Sequence, residues 1–131
     1  MLKKTITYTD FNDVERTEDF YFNLTEAELL EMELSVKGGL VEMINRIISA
    51  QDNPTLIKIF KDLVLKSYGV KSPDGRQFIK NDQVRDEFAQ TRAYSILFME
   101  LATNADVASA FVNGIIPKQV NNAALTSAQT K

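Results

Sequence analysis

Four glutamates could do chemistry in this sequence: Glu28 with Glu31, and more loosely Glu26 with Glu33, share a helical face. Paired carboxylates can perform acid–base work or hold a metal. Di-iron bundles, however, combine Glu with His at this spacing, and the chain has no His. Surface helices carry such glutamates routinely, so a solvated face is the reading these residues support. Asp10-x-Asn12 opens like a calcium loop, but Val14 and Glu15 stand where a ligand and the turn glycine belong, and Tyr21 replaces the closing Glu. Gly38-Gly39 is not followed by Lys-Ser/Thr and makes no phosphate loop. With no Cys, thiolate nucleophiles, thiolate metal sites and disulfides drop out together. The expectation is a protein that is not an enzyme, with no cofactor and no metal.

Charge is uneven. Residues 1–57 carry 5 basic and 11 acidic side chains, residues 58–92 carry 8 and 5, and the remainder two of each. Such asymmetry can steer the acidic end of one copy onto the basic middle of another. The alternative is that these are solvated helix faces. Lys58, Lys61, Lys66, Lys71, Arg76, Lys80, Arg85 and Arg92 form the basic region. Acidic residues interrupt it and no nucleic-acid motif accompanies it, so no nucleic-acid partner is expected. No apolar run approaches the roughly 18–20 residues that span a bilayer, and Lys3-Lys4 is followed by no apolar leader core. A cytoplasmic protein without a membrane partner is therefore expected.

The elements that would position these residues begin with a strand that passes straight into a helix. Phe20, Phe22 and Leu24 alternate as in a half-buried strand. Thr25 and Glu28 then make a capping box, with Leu24 and Leu29 as its staple. Upstream, Lys3–Thr9 reads as a strand with Thr5, Thr7 and Thr9 on one face and Ile6 and Tyr8 on the other. Asp10-Phe11-Asn12-Asp13 turns it into a hairpin spanning 3–23. An isolated hairpin is marginal in water, so the face bearing Ile6, Tyr8, Phe20 and Phe22 must find helices or another sheet.

Five or six short helices follow over residues 25–116. The first places Ala27, Leu30 and Leu34 on its stripe and ends at Lys37-Gly38-Gly39. The second groups Leu40, Ile44, Ile47 and Ile48. The third, from about Pro54 to Ser67, is apolar beyond one stripe, which suggests a central, buried helix closed by Gly69. Ser72-Pro73-Asp74-Gly75 is a turn, flanked by a minimal second hairpin of Val70 and Gln77–Ile79. Asn81 or Asp82 caps the fourth helix, which carries Val84 and Phe88. Thr91 caps the fifth, with Tyr94, Leu97, Phe98 and Leu101 inward. Asn104 caps the sixth, with Val107, Ala110 and Phe111 inward and Gly114 at its end. The fold class is α+β, mostly helical, with one globular domain over 1–117 and a polar, mobile tail over 118–131.

Several stretches carry a family likeness: Lys-Thr-Ile-Thr-Tyr-Thr-Asp-Phe-Asn (4–12), Glu-Arg-Thr-Glu-Asp-Phe-Tyr-Phe-Asn-Leu (15–24) and Ile-Lys-Ile-Phe-Lys-Asp-Leu (57–63). Tyr-Gly-Val-Lys-Ser-Pro-Asp-Gly-Arg-Gln-Phe (68–78) and Phe-Met-Glu-Leu-Ala-Thr-Asn-Ala (98–105) continue it. In these the chain resembles the tail assembly chaperones of long-tailed bacteriophages and prophages of Gram-positive bacteria. Asp13 departs from the pattern, since glycine is expected after Asn12 in a tight turn. The resemblance implies a non-enzymatic helper that coats the tape-measure protein until tail-tube protein polymerises around it, then leaves. It would act in the host bacterial cytoplasm and be absent from the mature virion, with the tape-measure protein and the major tail-tube protein as partners. The rival reading is a structural phage component, such as a tail-completion or head–tail joining protein.

A chaperone for long amphipathic helices should offer an apolar groove. Ile57 and Ile59 on the third helix, and Ile96 and Met99 on the fifth, exceed one apolar stripe and are the expected partner-binding residues; the alternative is that all four are core. Self-association into a homo-oligomer is expected either through Thr5, Thr7 and Thr9 at the hairpin's open edge or through contact of acidic and basic halves.

Overall fold

The computed structural model describes residues 1–34 and 40–116. Strands β1 (Leu2–Thr9) and β2 (Glu15–Phe22) open the chain, followed by helices α1 (Glu26–Leu34), α2 (Leu40–Ser49) and α3 (Asn53–Ser67). Then come β3 (Tyr68–Lys71), β4 (Phe78–Ile79), α4 (Asp82–Ala89), α5 (Arg92–Thr103) and α6 (Ala105–Ile115). This is the expected α+β architecture: an N-terminal hairpin followed, among the described residues, by six helices. The Lys37-Gly38-Gly39 stop, the side chains of Leu34 and Leu40, and the tail from Lys118 lie outside the described residues.

The two hairpins join into one antiparallel sheet in the order β1-β2-β3-β4. β1 and β2 pair over their full length, from Leu2 opposite Phe22 to Thr9 opposite Glu15. β3 adds by pairing Tyr21 with Gly69 and Phe22 with Tyr68, and β4 pairs Val70 with Ile79. The first turn works without glycine because Asp13 takes the left-handed backbone itself, at φ 62°. Asp10 stabilises it: its carboxylate accepts from the Asn12 and Val14 N–H groups at 2.8 and 3.0 Å, and from Arg16 at 2.6 Å. Arg16, then the backbone donors, hold the Asp10 carboxyl below its ordinary range.

Helix starts follow the sequence. The Thr25 N–H donates to Glu28 Oε1 at 2.8 Å, and the Glu28 N–H donates back to Thr25 Oγ1 at 3.2 Å, with Leu24 and Leu29 both buried beside them. Asp52 caps α3, Asn81 rather than Asp82 caps α4, Thr91 caps α5 and Asn104 caps α6. α6 turns from α5 at 114°. No single helix among the described residues is long and apolar enough to cross a membrane.

Several expectations need correction. On α1 the buried residue is Leu29, while Ala27 and Leu30 are exposed, because the staple to Leu24 sets the helix's rotation. α3 is not buried all round: Phe60, Leu63, Val64 and Ser67 face inward, and its other side carries Lys58, Lys61 and Lys66 in solvent. Gly69 does not close α3 but lies inside β3, where an added Cβ would stand 2.8 Å from the Phe78 ring. On α6 Ala108, Phe111, Val112 and Ile115 are buried, and Ala110 is exposed. Gly114 stands at the end of α6 as expected, next to its last residue, Ile115. It sits within α6 against Leu2, whose Cδ1 would be 2.9 Å from an added Cβ.

The core gathers where the sheet's inner face meets α3, α4, α5 and α6. Phe22, fully buried, packs edge-on against Phe88 and Phe111 with ring centroids 5.8 and 5.4 Å apart. Tyr68 stacks on Phe88 at 4.2 Å. Leu24 N–H donates to Ile115 O at 2.8 Å, tying the end of α6 to the hairpin's exit.

Candidate functional site

The candidate site is the rim where β1 meets α5. β1 is an outer strand of the sheet, and its eight residues form a ladder on one side only. Antiparallel pairing alternates, so every second residue turns its N–H and C=O away from its partner strand. Here the parity is fixed twice. Asp10 N–H donates to Val14 O at 2.9 Å, which assigns the even-numbered residues of β1 to β2. Asn23 N–H donates to Ser67 O at 2.8 Å, which assigns the odd-numbered residues of β2 to β3. The main-chain groups of Lys3, Thr5, Thr7 and Thr9 therefore point outward.

Their side chains are otherwise occupied. Thr5 Oγ1 donates to Asp19 at 2.6 Å and Thr7 Oγ1 lies 2.9 Å from Thr17 Oγ1, both across the hairpin's outer face. On the inner face the Tyr8 hydroxyl donates to Glu18 at 2.6 Å. That hydrogen bond, and burial after it, push the phenol's pKa up.

α5 runs antiparallel along this edge. Lys4 meets Glu100 at 3.4 Å near one end, and Thr7, Tyr8 and Thr9 meet Arg92, Ser95 and Ile96 near the other. Eight residues of helix cover about 12 Å and four residues of strand about 13 Å, so the two elements stay in step. An open cleft of about 320 Å³ lies between them, lined by Thr7, Tyr8, Thr9, Glu15, Arg92, Ser95 and Ile96. The Arg92 guanidinium rests 5.2 Å from the ring centre of Phe11, which is 72% exposed at the hairpin tip.

Of the four residues expected to bind a partner, three are in solvent: Ile57, Ile96 and Met99. Ile59 is half-buried against the core and belongs to it. Ile96 and Met99 share one α5 face with Arg92 and Ser95, three and four residues apart. Ile57 stands on α3 and is not among the residues lining the cleft. The structure thus unites Ile96 with Thr7 and Thr9, two sets the sequence had kept apart. Periodicity could not join them, since nothing local specifies which helix lies along which edge. A second opening, about 420 Å³, lies where α2, α3, α5 and α6 approach. Its walls include Ile48, Leu56, Leu101, Ala102, Ala105 and Ala108.

Of the acidic candidates Glu28 has structural employment, and the side chain of Glu33 lies outside the described residues. Glu28 accepts from Lys80 Nζ at 2.9 Å, and the same ammonium donates to Asn23 O at 2.6 Å. Partial burial opposes ionisation of Glu28, but the Thr25 N–H and Lys80 outweigh it and hold the carboxyl below its usual range. Glu31 shares a cleft of about 220 Å³ with Glu28, Lys66 and Arg85. No group of three or more acidic residues able to hold a metal occurs among the described residues. The basic residues are engaged at separate places: Lys80 on Glu28, Arg85 on Asp82 at 2.8 Å, and Lys71 over the Tyr21 ring at 4.1 Å.

Compared with known proteins, residues 1–131 match the family model described as phage tail assembly chaperone. No curated protein and no solved structure matches the chain.

Proposed function

The chain belongs to the phage tail assembly chaperone family, and from that premise we propose that it binds the tape-measure protein and keeps it soluble until the tail tube polymerises. The phage or prophage is a long-tailed one of Gram-positive hosts, the work is done in the host cytoplasm, and the chaperone is absent from the mature virion. The major tail-tube protein displaces it. In this reading the protein acts by surface complementarity rather than by catalysis.

The observation that carries the reading is the exposed apolar face of α5. Ile96 is 45% and Met99 56% exposed, on a helix whose opposite face is fully committed to the core through Ala93, Leu97 and Leu101. Each is about half covered already, so burying the rest on a partner is worth about 1 kcal/mol each, roughly half of what full burial gives. Methionine's flexible thioether adapts to varied helical partners, as a tape-measure protein's many segments require. Ile57 adds a further exposed contact on α3.

Co-expression with a tape-measure fragment tests this. The wild-type chain should keep the fragment soluble, and Ile96→Asp with Met99→Asp should abolish the rescue while circular dichroism still shows a folded protein. A folded double variant that rescues normally sinks the proposed surface. Detection of the chain in purified virions would instead support a structural component.

A further inference from the structure

The turn that closes β1 onto β2 carries Phe11, the most exposed large apolar side chain among the described residues, with Val14 exposed on the same turn. Nine large apolar side chains stand in solvent among the described residues. Four of them, Phe11, Val14, Ile96 and Met99, belong to this turn and to the α5 face next to it. Single exposed apolar residues are ordinary, whereas a cluster of them marks a contact surface.

The tip is held in place from two sides. Asp10 braces the turn by accepting from the Asn12 and Val14 N–H groups and from Arg16. Arg92, the first residue of α5, sets its guanidinium 5.2 Å from the Phe11 ring centre. Helical side chains lean toward the N-terminus, so this contact continues the face of Ile96 and Met99 past the start of the helix. From Met99 back to Arg92 is about 10 Å of helix, and the Phe11 ring lengthens the line to about 15 Å, close to three turns of a partner helix.

That extension matters for binding. Ile96 and Met99 are one turn apart and half covered already, which leaves too little area to hold a partner against the freedom lost on association. An aromatic ring fixed in advance by a cation and a braced turn adds area at little further ordering cost. We propose that the hairpin tip completes the partner surface: Phe11 is an anchor for the amphipathic helix that α5 receives, and Arg92 is the positioning residue that holds its ring. The bound helix would place one apolar residue over Met99 and another, about three turns away, over Phe11. The inference rests on the reading of the α5 face as the tape-measure contact.

The test uses the purified full chain and a fluorescein-labelled amphipathic segment of the tape-measure protein, read by fluorescence anisotropy. Phe11→Ser should weaken binding about tenfold, with the circular dichroism spectrum and melting temperature retained because the ring lies in solvent. Phe11→Tyr should bind as the wild type does. Arg92→Ala should weaken binding about threefold, Arg92→Lys should restore most of it, and Arg92→Ala should add nothing in the Phe11→Ser background. Footprinting of the unmutated complex gives a readout independent of any variant: oxidation of Phe11 should fall together with that of Met99. Wild-type affinity in Phe11→Ser, or a Phe11 that oxidises as fast in the complex as in the free chain, overturns the anchor. An equal effect of Arg92→Ala in both backgrounds overturns the positioning role. Loss of binding in Ile96→Asp with Met99→Asp, but not in Phe11→Ser, defeats this inference and spares the reading beneath it. A wild-type chain that does not bind the segment defeats both.

Discussion

The centre of the molecule and its β1–α5 rim are built from the same residue types but to opposite ends. At the centre Phe22, Tyr68, Phe88 and Phe111 interlock, and the described residues leave no buried polar side-chain atom without a hydrogen-bond partner. At the rim, apolar side chains and main-chain donors stand open in the same place. The centre is satisfied by its own contacts, whereas the rim keeps exposed apolar surface, which is the ground for the binding surface proposed there. The two should therefore respond to mutation in opposite ways.

The largest effect should come from the centre. Phe22→Ala removes a fully buried ring and should cost about 3–5 kcal/mol, read as a steep drop in the urea midpoint. Gly69→Val is next. Its Cβ would meet the Phe78 ring at 2.8 Å and the Ile79 carbonyl at 3.0 Å, and overpacking of this kind costs about 1–3 kcal/mol. Survival of either variant with an unchanged midpoint would break the comparison at its structural end.

The Thr25–Glu28–Lys80 link should show an intermediate effect with a pH signature. The Glu28 carboxyl is depressed in the folded state, so its contribution is present above the unfolded carboxyl pKa, about 4.3. It is lost as pH falls through the lower folded value. Glu28→Ala should cost about 1 kcal/mol at neutral pH through the capping box, and the difference from wild type should shrink in acid. A gap that stays constant down to acid would deny the ionic part of the link.

Smallest of all in stability should be the rim: Met99→Asp, at 56% exposure, should change the unfolding free energy by no more than about 0.5 kcal/mol. A large destabilisation would show that Met99 belongs to the core.

What the sequence revealed, and what it hid, follows the range of the interactions involved. The capping box at Thr25, the caps at Thr91 and Asn104 and the alternation of Phe20 with Phe22 depend on neighbours a few residues away, and all are found in the structure. Where local pattern failed, a distant partner had decided. Gly69 looks like a helix stop until Phe78 lies beneath it. Leu30 is the exception, since the local Leu24–Leu29 staple, itself legible, fixes α1's rotation and turns Leu30 outward. Part of the candidate site was legible: of the surplus apolar residues, Ile57, Ile96 and Met99 are exposed and Ile59 is half-buried against the core. The side chains of Thr5 and Thr7 were legible as a polar face, but it is their main chain that remains unpaired. Seeing that required the strand register and the path of α5.

Hydroxyl-radical footprinting of the full chain, alone and saturated with a tape-measure fragment, tests the central claim most directly. Met99 reports from the rim, and Met1, 58% exposed, offers an internal control. Binding at the α5 face should cut oxidation of Met99 and Ile96 several-fold and leave Met1 unchanged. A complex that forms while Met99 and Ile96 oxidise as fast as in the free protein would place the tape-measure contact elsewhere and contradict the claim.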